Sequence, residues 1–237
     1  MINQQQIREN LENLRREIKQ LTDREITLVA VTKTHPDEIY QVCVNLGINQ
    51  IGENRIQELC TKNATHPDAR KQLNIHLIGS LQANKVRFLE GNVDTMDTLS
   101  SHEILNKIEE KWNGDKKLSV LLQINTTGEN QKSGLLHDDY PTIMHLAKSC
   151  VASKKVQLEG VMTMGPTPHD NFDISDPDYA RLTLAAFNRL RLLRDRMQDD
   201  LQCKLPRLSM GMSHDYRLAI ESGATEIRVG SLIFGSR

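Results

Sequence analysis

Eight short strand-like runs, most of them followed by helical periodicity, constrain the fold of this chain more than any other feature. They fall at residues 26–33 (ITLVAVTK), 50–54 (QIGEN), 74–80 (NIHLIGS), 92–99 (NVDTMDTL), 117–125 (KLSVLLQIN), 156–164 (VQLEGVMTM), 207–212 (RLSMGM) and 226–234 (EIRVGSLIF). The first, fifth and sixth are rich in Val, Ile and Leu, as strands covered on both faces must be. The second, fourth and seventh are short, and only their place in the alternation identifies them. Strands alternating with helices predict a parallel sheet. Eight such units in 237 residues predict an α/β fold closed into one (β/α)8 TIM barrel, with residues 1–237 as a single domain.

The segments between the runs carry helix signals. Pro36 and Asp37 open one with Ile39, Val42 and Leu46 on one face and Gly47 placed to stop it. Ser101 opens another, carrying Ile104, Leu105 and Ile108. Asp176 is placed to cap a long helix beginning at Pro177, and Ser213 precedes a short one that Gly223 ends. An extra helix is predicted before the first strand, because Ile7, Leu11, Leu14, Ile18 and Leu21 recur at spacings of four and three. No helix is predicted after the eighth run, so the N-terminal helix is expected to cover the place left open there. A coiled-coil dimer through the same stripe is the competing reading, which so few heptads disfavour. Residues 165–176 (GPTPHDNFDISD) lack periodicity and predict a mobile loop after the sixth strand.

Composition excludes several classes of function. With 38% hydrophobic and 26% charged residues and a net charge of −1, the chain lacks the basic excess that nucleic acid or an anionic membrane would need. The N-terminus, MINQQQIREN, has no signal-peptide core, and no stretch approaches the ~18 apolar residues of a membrane span. Cys43, Cys60, Cys150 and Cys203 are scattered, which predicts free thiols in a reducing cytoplasm rather than a surface disulfide. The eight histidines show no metal-ligand spacing, so no metal is expected.

Functional groups in such barrels gather at the C-terminal ends of the strands. The candidates there are Lys33, Glu53, Asn54, His76, Ser80, Asn125, Ser209, Met210, Arg228, Gly230 and Ser231. Lys33 follows the apolar run Leu28 to Val31, and is either a desolvated, carbonyl-reactive amine or a solvated residue at a strand tip. Position alone favours the second. The last two strands shift the balance. Gly230 and Ser231 let backbone N–H groups approach a phosphate, and Ser209 and Gly211 on the adjacent strand make a second small-residue cluster. A shared phosphate cup is favoured over two unrelated tight turns. Glu53 reads as a solvated or helix-capping carboxylate before a general base, and His76 as a satisfied core or rim histidine. Glu129 and Lys132 read as a weak surface ion pair or as a contact to a partner.

Five segments then carry a resemblance. They are AVTKTHP at residues 30–36, IGENRIQE at 51–58, HLIGSLQANK at 76–85, NTTGENQKSG at 125–134, and LSMGMSHDYRLAI through RVGSLIFGSR at 208–237. In this order they span nearly the whole chain, which resembles the pyridoxal phosphate homeostasis protein family. The fold this implies is similar to the N-terminal barrel of alanine racemases, without their C-terminal β-domain. The resemblance implies pyridoxal 5′-phosphate (PLP) as cofactor and a cofactor-binding set of Lys33, Asn54, Ser209, Met210, Arg228, Gly230 and Ser231. Lys33 matches the lysine of the internal aldimine, Asn54 the asparagine near the ring, and Ser209, Gly230 and Ser231 the phosphate positions. Arg228 matches the arginine facing the pyridine nitrogen. Ser231 stands where Thr is common, and Met96-Asp97 where Val-Asp is more usual.

A guanidinium keeps its charge at any accessible pH, so Arg228 cannot take a proton from the ring and disfavours a pyridinium. The ring is then a weak electron sink. The expected function is to hold PLP as a Schiff base on Lys33 in intracellular vitamin B6 homeostasis, as a carrier or buffer, with no catalytic residue. PLP-dependent apoenzymes are the expected recipients. A racemase-like PLP enzyme is the alternative, and a cofactor-free Schiff-base aldolase a third reading. A racemase needs two bases, yet Tyr40, Tyr140, Tyr179 and Tyr216 all lie on predicted helices or at their starts. A monomer is expected, because no second subunit is required to complete the site.

Overall fold

The computed structural model describes residues 2–129, 131–167 and 176–235. Eight parallel strands form the barrel: β1 (Thr27–Val31), β2 (Gln50–Glu53), β3 (Asn74–Leu77), β4 (Thr95–Leu99), β5 (Leu118–Asn125), β6 (Val156–Met162), β7 (Arg207–Ser209) and β8 (Glu226–Val229). They pair in the order β4-β3-β2-β1-β8-β7-β6-β5, and a β4–β5 pairing closes the ring. The decisive ladder joins the first strand to the last, from Thr27↔Glu226 to Ala30↔Val229. A two-residue strand, Leu135–Leu136, adds to the end of β5. Every expected strand is present, but the runs overshoot. The seventh ends at Ser209 rather than Met212, and the eighth at Val229 rather than Phe234.

The helices are α1 (Gln4–Leu21), α2 (Ile39–Asn45), α3 (Ile56–Thr65), α4 (Pro67–Arg70), α5 (His102–Lys111), α6 (Tyr140–Ala152), α7 (Pro177–Leu201), α8 (Tyr216–Glu221) and α9 (Ser231–Phe234). The caps act as read from sequence. The Ser101 hydroxyl accepts from the Ile104 N–H, and Asp176 accepts from the Asp178 N–H with Pro177 in the first turn. One expectation is corrected: a helix does follow the eighth strand. It is short because Gly235 takes a φ of +89°, outside the helical region. The N-terminal helix packs against it, with Asn10 Nδ2 donating to the Ile233 carbonyl at 3.0 Å, and buries Ile7, Leu11 and Leu14 in the core. That burial accounts for the first three residues of the apolar stripe within one chain, while Ile18 is partly buried and Leu21 exposed. Of the loop expected at 165–176, residues 168–175 lie outside the described residues.

The N-terminal half of the barrel interior is charged. His76, Asp97 and Glu226 are buried together, and Arg207, half-buried, lies against them. Arg207 bonds Glu226 Oε2 at 2.7 Å. His76 Nδ1 faces Asp97 Oδ1 at 3.1 Å, and Nε2 faces Gln50 Oε1 at 3.0 Å. Nδ1 faces the Asp97 carboxylate as its hydrogen-bond acceptor. Arg207 also lies 3.2 Å from Nδ1, but its strong partner is Glu226. His76 is thus a satisfied core histidine. Among the described residues no helix is long and apolar enough to cross a membrane, and the four cysteines are free.

Two outcomes are expected. Leu11→Ala removes a fully buried side chain and should cost about 2–5 kcal/mol in urea denaturation. Burial lowers the His76 pKa, but the charge and hydrogen bond of Asp97, helped by Glu226, outweigh it and leave the pKa raised. A raised imidazole stabilises the fold below its unfolded pKa, and that contribution fades as pH rises through the folded value. The stability gap between the parent and His76→Gln should therefore narrow as pH rises above the ordinary imidazole range. A gap that widens as pH rises contradicts the raised pKa.

Candidate functional site

At the C-terminal ends of the strands lies a cavity of about 500 Å³, within the range of small-molecule sites. Its lining includes Lys33, Asn54, Arg228, Gly230 and Ser231, so the barrel brings five of the seven predicted residues to one place. A larger groove of about 970 Å³ runs along α1 past Arg15, Lys19 and Gln50, and none of the seven lines it. The smaller cavity is the candidate site, because strand ends rather than helix flanks carry chemistry in this fold.

Lys33 sits in the turn that leaves β1. The turn closes with the His35 N–H donating to the Thr32 carbonyl at 3.2 Å, and Thr34 takes a φ of +65°. Lys33 is half-buried and lines the cavity. Asn54 follows β2 and packs against Gly79. A Cβ at position 79 would lie 2.0 Å from the Asn54 carbonyl oxygen and 2.7 Å from its Oδ1. Thr98 fixes the other side of that contact by donating to the Gly79 carbonyl at 2.8 Å. Gly230 faces β1 less tightly, since its Cβ would meet the Val31 carbonyl oxygen at 3.3 Å.

Arg228 is buried on β8 and gives one guanidinium nitrogen to Ser209 Oγ at 2.6 Å and another to the Thr163 carbonyl at 2.7 Å. Burial pushes its pKa below that of a free guanidinium, while Asp97, Glu226 and Asp215 pull it back up. A guanidinium starts so far above neutrality that it stays cationic.

Ser209 and Met210 do not line the cavity. Ser209 is fully buried behind Arg228 and orients it. Met210 is in the core, and its N–H pairs with the Glu226 carbonyl at 3.1 Å. The chain reaches the cavity only after β7 has ended, through Met212, Ser213 and His214. Ser213 Oγ accepts from the Gly230 N–H at 3.4 Å, joining the two small-residue segments. Ser213 was legible only as the start of a helix, because the strand appeared to run three residues too far. His35, Ile78, Met162 and Met164 also line the site, and parity along the short runs could not have singled them out.

Two other readings are corrected. Glu53 is neither solvated nor a helix cap. It is fully buried, with Oε1 accepting from Lys62 at 2.8 Å and from the Thr32 hydroxyl at 2.7 Å. Burial raises its pKa, against the opposing pull of Lys62 and Thr32. Lys132 is not at the surface: its ammonium is largely covered and holds Glu129 at 2.5 Å and the Gly165 carbonyl at 2.6 Å. It clasps the segments after β5 and β6 together.

The comparisons with known proteins agree with this geometry. The family described as "Alanine racemase, N-terminal domain" matches residues 2–237. A pyridoxal phosphate homeostasis protein of Aquifex aeolicus is 35% identical over 213 residues, covering 89% of this chain and 86% of that protein. One of Schizosaccharomyces pombe is 35% identical over 233 residues, covering 96% and 91%. The chain belongs to the pyridoxal phosphate homeostasis protein family. PipY of Synechococcus elongatus, a structure with PLP bound, superposes with a TM-score of 0.81 at 30% identity over 97% of this chain and 100% of that one. An alanine racemase of Clostridium difficile shares the fold, with a TM-score of 0.75 at 19% identity over 100% of this chain and 58% of that one.

The packing around Asn54 is testable. Gly79→Ala must move either Asn54 or β3, and should cost about 1–3 kcal/mol by overpacking, read from the thermal midpoint. An unchanged midpoint would show that this contact is slack.

Proposed function

We propose that this chain binds PLP in the cavity at the strand ends, holds it as a Schiff base on Lys33, and serves intracellular vitamin B6 homeostasis as a carrier or buffer. The observation that carries this reading is the shared lining of Lys33, Asn54, Arg228, Gly230 and Ser231. PLP brings an aldehyde, which an amine can capture, and an aromatic ring that can take up electrons. Lys33 supplies the amine. The backbone N–H groups of Gly230 and Ser231, with the hydroxyls of Ser213 and Ser231, receive the phosphate. Asn54 borders the ring. Arg228, held by Ser209 and Thr163, presents a fixed cation to the ring nitrogen and keeps it unprotonated. A ring kept in that state favours storage over demanding carbanion chemistry. The whole chain acts as one cofactor-binding unit and as a monomer, with PLP-dependent apoenzymes as recipients.

A second reading, a racemase-like PLP enzyme, has one observation in its favour. His214 lines the same cavity, and the carboxylate of buried Asp215 lies 3.5 Å behind its Nε2. A histidine backed by a carboxylate is a common proton-transfer arrangement.

Purified protein should absorb at about 420 nm, as a PLP Schiff base does, and Lys33→Ala should abolish that band. Persistence of the band in Lys33→Ala would overturn the assignment of the amine. Turnover of free amino acids, lost in both Lys33→Ala and His214→Ala, would replace the carrier reading with the enzymatic one.

A further inference from the structure

Directly beneath the Lys33 turn lies a second lysine, Lys62, on α3. It is buried, and its ammonium group has three acceptors: the Thr32 carbonyl at 3.0 Å, Glu53 Oε1 at 2.8 Å and Glu58 Oε1 at 2.9 Å. Three donors meet three acceptors, so the group is satisfied without solvent. The same Glu58 oxygen accepts the Thr34 N–H at 2.7 Å. The residue before Lys33 is thus tied through its carbonyl and the residue after it through its N–H, both to one Lys62–Glu58 pair.

Thr34 shows why the tie matters. Its φ of +65° lies in the left-handed region, which a β-branched residue avoids. Such a conformation persists only where the surroundings enforce it. The bond from Glu58 holds this turn beside the bond from the His35 N–H to the Thr32 carbonyl. Burial raises the Glu58 pKa, but the bonds from Lys62 and Thr34 outweigh it and leave the pKa lowered, which keeps the carboxylate charged.

We propose that Lys62 and Glu58 form a positioning clasp that aims Lys33 into the cavity by holding Thr32 and Thr34 in place. This rests on the reading of Lys33 as the PLP-binding amine. Neither clasp residue lines the cavity, so neither touches the cofactor there.

Lys62 is a poor probe, because its removal leaves buried Glu53 without a counter-charge and threatens the fold. Glu58 is the better one. Both of its bonds fall on a single oxygen, which the side-chain carbonyl of Glu58→Gln reproduces and Glu58→Ala removes. The experiment combines PLP titration by absorbance with amide hydrogen exchange at Thr34 in the cofactor-free protein. Ile108→Ala, a fully buried position on α5, which carries no residue of the cavity lining, serves as a control that lowers stability. Glu58→Ala should bind PLP about tenfold more weakly, equivalent to about 1.4 kcal/mol, and should exchange the Thr34 amide faster. Glu58→Gln should stay within about twofold of the parent in affinity, and Ile108→Ala should bind as the parent does. Parent-like affinity in Glu58→Ala overturns the clasp, as does a loss in Glu58→Gln equal to that in Glu58→Ala. A loss in Ile108→Ala equal to that in Glu58→Ala would reduce the effect to general destabilisation and also overturn it. If the parent itself takes up no PLP, the functional reading fails, and Thr34 exchange alone then decides whether Glu58 holds the turn.

Discussion

The ladder between β1 and β8 is the constraint on which the site depends. Lys33 and the segment from Arg228 to Ser231 lie near opposite ends of the chain, and only closure of the barrel makes them neighbours. A parallel barrel has no free edge, so the pairing of first and last strands is also what completes the hydrogen bonding of both. The α1 helix then covers this seam by packing Leu11 and Leu14 into the core beside α9. Closure, core and candidate site are therefore one cooperative feature. A variant that opened the seam would lose the cavity together with the fold.

The second physical theme is the charge stored inside the barrel. His76, Asp97, Arg207 and Glu226 occupy its N-terminal half, and Arg228 continues the series toward the cavity. Buried ions contribute little net stability unless each is paired, but they hold geometry well once they are. Asp97 and Glu226 act on both Arg207 and Arg228, so the cation presented to the cavity is balanced from below rather than by solvent. Ser209, expected at the phosphate, serves this network by fixing the direction of Arg228.

Much of this was legible in the sequence. The eight-fold alternation of strands and helices revealed the barrel, because period and order are properties of the chain itself. Lys33, Asn54, Arg228, Gly230 and Ser231 were identifiable from strand ends and from family resemblance, and the structure brings them together. What escaped was governed by register and by burial. The apolar character of residues 207–212 continues beyond the point where β7 stops pairing, so Met210 was credited with a place that Met212 and Ser213 occupy. Glu53 and Lys132 looked like surface charges because nothing local in the sequence announces a buried partner. Lys62 meets Glu53 from the helix that follows β2, and Lys132 reaches the Gly165 carbonyl from another segment, so each pairing needs the chain to fold back on itself.

The central claim is that the Lys33 amine, and no other, carries PLP. It is tested most directly by reducing the PLP-loaded protein with borohydride and mapping the modified peptide by mass spectrometry. The account predicts one stoichiometric pyridoxyl adduct, located on Lys33. Stoichiometric labelling of any other lysine, with Lys33 left unmodified, would contradict it.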